Sequence, residues 1–159
     1  MSHNAHPSQE YLKSAVLTAP PEQLQLMLYD GAIKFATRGL EAIRAGDREA
    51  AFVALERAQR IVLELSSGLR PEVNPELAGR MAALYGFIHR QLVNANLHQD
   101  QQAIEDALHI LRHQRETWVM LIDKLRGEAQ PPSPPLEPRL EPQAQPYENE
   151  PATALNTEG

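Results

Sequence analysis

The sequence predicts an all-α protein: an antiparallel up-and-down four-helix bundle with a short amphipathic N-terminal arm and a disordered, Pro-rich C-terminal tail. Three observations predict this class. Four long stretches repeat apolar residues every three or four positions, as amphipathic helices do. Residues that end and begin helices separate these stretches. The connections are short, so successive helices are expected to run antiparallel.

The predicted arm covers residues 1–19. Tyr11, Leu12, Ala15 and Val16 share one face of a short helical pattern. Isolated helices shorter than about 12–15 residues are marginal in water, so the arm has little stability of its own. We expect it to lie over an apolar groove of the body and to leave when a partner binds.

The first predicted helix runs from Pro21 to Ala45 and has two apolar faces. One face has 3-4 spacing and is expected to enter the core: Leu26, Tyr29, Ile33, Ala36, Leu40 and Ile43. The opposite face carries Leu24, Leu28, Gly31, Phe35, Gly39 and Ala42. Two explanations stay open for this second face, a cover from the same chain or a groove for a client protein.

The pair Asp30-Gly31 within this helix is also a signal for a β-hairpin turn. The 3-4 spacing continues through the pair, so a helix is predicted, in which Gly31 costs about 1 kcal/mol relative to Ala. A glycine has no Cβ and therefore lets another backbone come close. That backbone belongs either to a neighbouring helix or to a client.

Three further helices are predicted over 48–67, 75–98 and 101–126, and Gly127 is expected to end the last. Each begins after an N-capping residue: Asp47, Asn74 and Asp100. Their core stripes are Ala51, Leu55, Ala58, Val62 and Leu65; then Leu77, Met81, Leu84, Ile88, Leu92 and Ala95; then Ile104, Leu108, Leu111, Trp118, Ile122 and Leu125. Phe52 and Leu63 lie together on the second helix, away from its core stripe.

Residues 128–159 are predicted to be a disordered acidic tail. The tail holds eight of the 13 prolines and has a charge of -5, which leaves -1 of the net -6 for residues 1–127. Such a composition cannot bury enough apolar surface to fold. A solubilising appendage is the favoured interpretation, and polyproline II docking of residues 131–135 is the alternative.

The composition excludes several functions. The chain has no Cys, so disulfides, thiolate metal sites and a Cys nucleophile are impossible. The nearly neutral body has no basic footprint for nucleic acid. No apolar run reaches the roughly 18 residues of a membrane span, and the N-terminus lacks the apolar region of a signal peptide, so no membrane insertion and a cytoplasmic location are expected.

The chain carries no nucleotide-binding, zinc-protease or serine-hydrolase motif, so neither an enzyme nor a cofactor is expected. His109 and His113 stand at i, i+4, but no third ligand is evident and a solvated pair is the better interpretation. His89 on the third helix supports an alternative from another class, a four-helix histidine phosphotransfer protein. A neighbouring Lys that would steady a phosphoryl group is missing.

Two blocks resemble the FliS-type flagellar export chaperones: TAPPEQLQLMLYDGAIKF and LYGFIHRQLVNANLHQD. The Gly46-Asp47 break and the late Trp118 fit the same pattern, and the resemblance covers residues 11–125. It departs at Pro20, where the family has a Ser N-cap; Thr18 caps instead, or the first turn is weaker by about 1 kcal/mol. The tail is outside the resemblance.

The resemblance implies a four-helix chaperone domain, here residues 20–127, in the bacterial cytoplasm. It implies binding of the disordered C-terminal region of flagellin, prevention of premature polymerisation, and delivery to the type III export gate, a component of which is a further partner. A chaperone for another flagellar client is the alternative. The family's N-terminal Tyr, which matches Tyr11, occupies a client groove in the free protein. The other expected client-binding residues rest on helical-wheel geometry alone: Leu24, Leu28, Gly31, Phe35, Phe52 and Leu63.

Overall fold

The computed structural model describes residues 9–11 and 19–129 of the chain. Residues 9–11 are helical, and four long helices follow: α1 Pro21–Arg44, α2 Arg48–Ser67, α3 Pro75–His98 and α4 Gln101–Ala129. No strand occurs within these described ranges, and the predicted all-α class is confirmed. The remaining residues of the arm, 1–8 and 12–18, and the tail from 130 onward lie outside the described residues.

The four helices form the predicted bundle. α1 packs against α2 and α4, and α3 packs against the same two helices. α1 and α3 are therefore diagonal partners, and successive helices are neighbours, as short connections require.

Local sequence sets three of the helix starts. The side chains of Asp47, Asn74 and Asp100 each accept a hydrogen bond from the backbone N–H three residues later, at 3.0, 3.1 and 3.2 Å. α1 is different, because Pro20 occupies its N-cap position and makes no side-chain cap. Pro20 therefore does not cap the first turn, and the alternative cap, Thr18, lies outside the described residues.

The helix ends agree with the sequence at Gly46 but not at Gly127. Gly46 has a φ of 73°, the left-handed conformation that favours glycine, and it ends α1 at Arg44, one residue before the predicted Ala45. The predicted end of α4 near Arg126 is wrong, because the helix continues through Gly127 to Ala129. Gly127 does not adopt the left-handed conformation that ends α1 at Gly46, and its backbone continues the helix.

The core consists of one continuous cluster of apolar side chains from all four helices. Its largest fully buried members are Tyr29, Tyr85, Leu55, Leu65, Ile88, Leu92, Ile104, Leu111 and Val62. The described residues contain no buried charged side chain. Arg115 interrupts the predicted stripe of α4 because it reaches outward to the carboxylate of Asp30 on α1, and this pair is solvent-exposed.

The second face of α1 is partly covered by α2. A Cβ added at Gly39 would stand 2.5 Å from the side chain of Leu55, and one added at Gly31 would stand 3.1 Å from Ile61. Both are closer than ordinary van der Waals contact. Of the two alternatives left open for Gly31, a neighbouring helix lies close to it in this chain, and its contact with a client stays a prediction.

Candidate client-binding groove

An apolar groove opens at the end of the bundle where α1 and α3 begin and α4 ends. Its volume is about 470 Å³. One wall is formed by α3 and by the connection between α2 and α3, and the other by α4. Its lining includes Leu69, Arg70, Val73, Leu77, Met81, Tyr85, Gln114, Trp118 and Leu121.

The rim of this groove exposes large apolar side chains. Val73 is 75% exposed, Leu77 55% and Leu121 41%. Scattered single apolar residues are normal on a protein surface, but a contiguous apolar patch around a concavity marks an interaction site. Among the described residues that line it, Arg70 alone is charged, so the groove suits an apolar segment.

Two tyrosines from diagonal helices form the floor of the groove. The hydroxyl oxygens of Tyr29 on α1 and Tyr85 on α3 lie 2.5 Å apart, and one hydroxyl donates to the other. Gln25 also donates to the Tyr85 hydroxyl, at 3.5 Å. Burial, reinforced by the hydrogen bond to Tyr29, raises the pKa of the Tyr85 hydroxyl. The floor is therefore neutral, and its polar atoms are satisfied by each other.

Trp118 stands half-buried in the α4 wall. Its indole N–H donates to the backbone carbonyl of Glu22 at 2.9 Å, which ties the late part of α4 to the first turn of α1. Because this polar atom is satisfied, the indole ring presents an apolar surface to the groove.

Three of the residues predicted to bind a client lie on α1 and are only partly exposed. Leu24 is half-buried, and Leu28 and Phe35 are half-buried and pack against the core. Three cations surround the ring of Phe35: Lys34, Arg38 and Arg57, between 5.4 and 5.9 Å from its centroid. Phe35 thus contributes to the α1–α2 contact and to a cation–π cluster, with only part of its ring open.

Tyr11, Phe52 and Leu63 are the most exposed of the predicted residues. Tyr11 lies in the helical residues 9–11 and is 75% exposed. Phe52 and Leu63 are about half-exposed on one side of α2 and form a second apolar surface. None of the predicted residues lines the groove between α3 and α4.

The groove residues were missed because the 3-4 pattern assigned them to the core. Leu77 and Trp118 continue the core stripes of their helices, yet Leu77 is 55% exposed and Trp118 is only half-buried. Helical spacing shows which face of a helix is apolar but does not show how far along the bundle a neighbour covers that face. One sequence signal could have indicated the groove: Val73 is an apolar residue in the connection between α2 and α3.

The three histidines considered for phosphotransfer or metal binding lie apart from any cluster of further ligands among the described residues. His89 is half-buried on α3, and His109 and His113 are exposed on α4. Within the described part of the chain, no three His, Cys, Asp or Glu side chains are placed to hold a metal ion. None of the described helices is both long and apolar enough to cross a membrane.

Comparison with known proteins gives one consistent result. The sequence model of the family described as "Flagellar protein FliS" matches residues 4–125. The flagellar secretion chaperone FliS of Bacillus subtilis is 33% identical over 77% of this chain and 91% of its own length. The protein of the same description from Salmonella typhimurium is 36% identical over 74% of this chain and 87% of its own.

A solved structure has the same fold. The chain described as "Crystal structure of flagellar chaperone from bacteria" superposes with a TM-score of 0.62 over 74% of this chain and 99% of that one. Its sequence identity is 17%, so this likeness concerns the arrangement of the helices alone.

Proposed function

This chain belongs to the FliS family of flagellar proteins, and we propose that it is a non-enzymatic export chaperone whose client is the C-terminal segment of flagellin. The single observation that carries the proposal is the apolar groove of about 470 Å³ between α3 and α4. This volume falls in the range of ligand sites, about 300–1,000 Å³. An amphipathic helix or an extended segment with apolar anchors is the type of ligand that such a groove accepts.

The mechanism follows from the chemistry of the groove. A client segment that is disordered when free loses chain entropy on binding and regains free energy by burying apolar side chains. Val73, Leu77 and Leu121 on the rim and the Trp118 ring in the wall supply the complementary surface. While the client's apolar side chains are covered, they are unavailable for polymerisation, and the segment stays without its own tertiary structure until export.

We propose that the client continues from the groove onto α2. Phe52 and Leu63 lie one above the other on that helix, about 16 Å apart at 1.5 Å per residue, and both are half-exposed. They remain the proposed secondary contacts, together with Tyr11, Leu24, Leu28, Gly31 and the open part of Phe35. Delivery to an export-gate component in the cytoplasm is the further step that this function requires.

Calorimetric titration with a synthetic flagellin C-terminal peptide tests the proposal. A dissociation constant in the micromolar range or tighter is expected, with a negative heat-capacity change because apolar surface is buried. A scrambled peptide of the same composition is the control. No heat of binding at tens of micromolar peptide would contradict flagellin as client, and binding of another flagellar protein in a pull-down would then redirect the assignment.

The histidine phosphotransfer alternative has a separate test. Incubation with a labelled phosphodonor should leave the chain unlabelled, because the relatives compared above are flagellar chaperones. A stable label that disappears in His89→Gln would revive the alternative.

A further inference from the structure

The C-terminal tail begins next to the apolar groove. α4 lines the groove as far as Leu121 and continues to Ala129. Eight helical residues at 1.5 Å each place the end of α4 about 12 Å beyond the rim. Thirty residues follow, 130–159, and they lie beyond residues 4–125, which match the family.

The first part of this tail is long enough to return along the groove. Pro131 and Pro132 are poorly suited to continue α4, so a change of chain direction is expected there. Residues 131–140 span about 31 Å at 3.1 Å per residue in polyproline II conformation. The groove-lining part of α4, from Gln114 to Leu121, spans about 10 Å, so the segment covers it with length to spare.

The chemistry of the segment matches the groove. Its sequence, PPSPPLEPRL, carries five prolines and two apolar anchors, Leu136 and Leu140. Pro-rich segments dock in grooves lined by aromatic side chains, because their extended conformation is already formed and little entropy is lost. The groove offers the half-buried ring of Trp118 for this purpose, above the buried Tyr85 of the floor.

The charge of the segment is also compatible with the groove. Residues 131–140 hold one Glu and one Arg, and Arg70 is the one charged residue among the described residues of the lining, so docking brings no excess charge onto the apolar surface. Glu137 follows the first anchor directly and is the complementary charge for Arg70 on the rim.

We propose that residues 131–140 of this chain dock in the groove between α3 and α4 and compete there with the client. The docking itself is independent of the proposed function, and only the competition rests on it. The tail then keeps the apolar rim covered when no client is present, and a client displaces it. The docked tail lowers the apparent affinity for the client. The apparent dissociation constant equals the intrinsic one divided by the fraction of molecules whose groove is open.

Trp118 provides a direct measurement, because it is the chain's only tryptophan and lies in the groove wall. Acrylamide quenching of its fluorescence is compared, without client, between the full-length chain and the full-length double variant Leu136→Asp and Leu140→Asp. Leu155→Asp, in the same tail but outside the docking segment, is the matched control. The double variant should be quenched at least about twofold more strongly, since a tethered segment at millimolar effective concentration is lost. The control should equal the unmodified chain.

Equal quenching in the double variant and the unmodified chain would overturn the proposal. So would stronger quenching in Tyr11→Ser alone, because the N-terminal segment would then be the occupant. A dependence of quenching on protein concentration would assign the tail to the groove of a second copy and also contradict it. In a subsequent titration with the flagellin peptide, the double variant should bind roughly three- to tenfold more tightly. Changed quenching without peptide binding would support the docked tail and contradict the proposed client.

Discussion

The hydroxyls of Tyr29 and Tyr85 meet at 2.5 Å across the diagonal of the bundle, directly beneath the groove. Their rings are 6.4 Å apart and tilted by 48°. Both side chains are fully buried, so each hydroxyl depends on the other in place of water. The pair joins α1 to α3, which are not sequential neighbours, and it holds the floor on which a client would rest.

Removing one hydroxyl of this pair should destabilise the fold unequally. Tyr85→Phe leaves the Tyr29 hydroxyl without its partner, whereas Tyr29→Phe leaves Tyr85 its hydrogen bond from Gln25. An unsatisfied buried hydroxyl costs about 1–3 kcal/mol, so Tyr85→Phe should lower the free energy of unfolding more than Tyr29→Phe. Urea denaturation measures both. The double variant should lose less than the sum of the two, and strict additivity would show that the hydroxyls do not interact.

Alkaline pH should weaken the fold through Tyr85. Its pKa is raised in the folded state, first by burial and then by the hydrogen bond to Tyr29, whereas an unfolded tyrosine ionises near pH 10. The stabilisation from this group is complete below about pH 10 and is lost as pH rises above it, by at most about 1.4 kcal/mol per pH unit. Between pH 9 and 11 in urea melts, the unmodified chain should therefore lose more stability than Tyr85→Phe. Equal losses would contradict this role.

Two glycines should respond in opposite directions to the same substitution. Gly79→Ala on α3 meets no atom within 4 Å and should gain up to about 1 kcal/mol from helix propensity. Gly39→Ala on α1 brings a Cβ within 2.5 Å of Leu55, and overpacking costs about 1–3 kcal/mol. Thermal unfolding should rank Gly79→Ala above the unmodified chain and Gly39→Ala below it. Equal midpoints for the two variants would mean that α1 and α2 can separate freely at this contact.

Substitutions of two exposed leucines on α3 should distinguish client binding in the groove from non-specific binding to apolar surface. Leu77 lies on the rim of the groove and is 55% exposed, and Leu97 is 70% exposed but is not part of the lining. Leu77→Lys should weaken binding of the flagellin peptide about tenfold or more, as loss of an interface anchor does, and Leu97→Lys by less than about twofold. Circular dichroism checks that both variants fold. Equal effects on calorimetric affinity would move the client away from the groove.

The helices could be predicted closely from the sequence because their signals are local. Asn74 and Asp100 begin helices with their own side chains, and the predicted ranges of α2 and α3 agree with the structure. The predicted end of α4 was wrong because it rested on a weak local signal, a single glycine. A glycine such as Gly127 permits a helix to end without requiring it, and the next residue that disfavours continuation is Pro131, two positions after Ala129.

The candidate site could not be predicted to the same degree. The sequence identified two apolar faces on α1, yet only the packing of α2 showed that Gly31 and Gly39 face Ile61 and Leu55. Phe35 is predicted to face a client, and only the structure shows that it also packs against the core and lies beside three cations of the same chain. A helical wheel identifies what a face can bind but carries no information on which partner reaches it.

The sequence by itself determined the all-α class, the four helices and their caps, and the family resemblance, because these depend on spacing and on contacts between residues close in the chain. The tertiary structure decided which apolar residues stay exposed. Leu77 and Ile88 look alike in the 3-4 pattern of α3, whereas the bundle buries Ile88 and leaves Leu77 at an uncovered end. The groove and its paired tyrosines exist because helices distant in sequence meet there, and only packing in three dimensions fixes such a meeting.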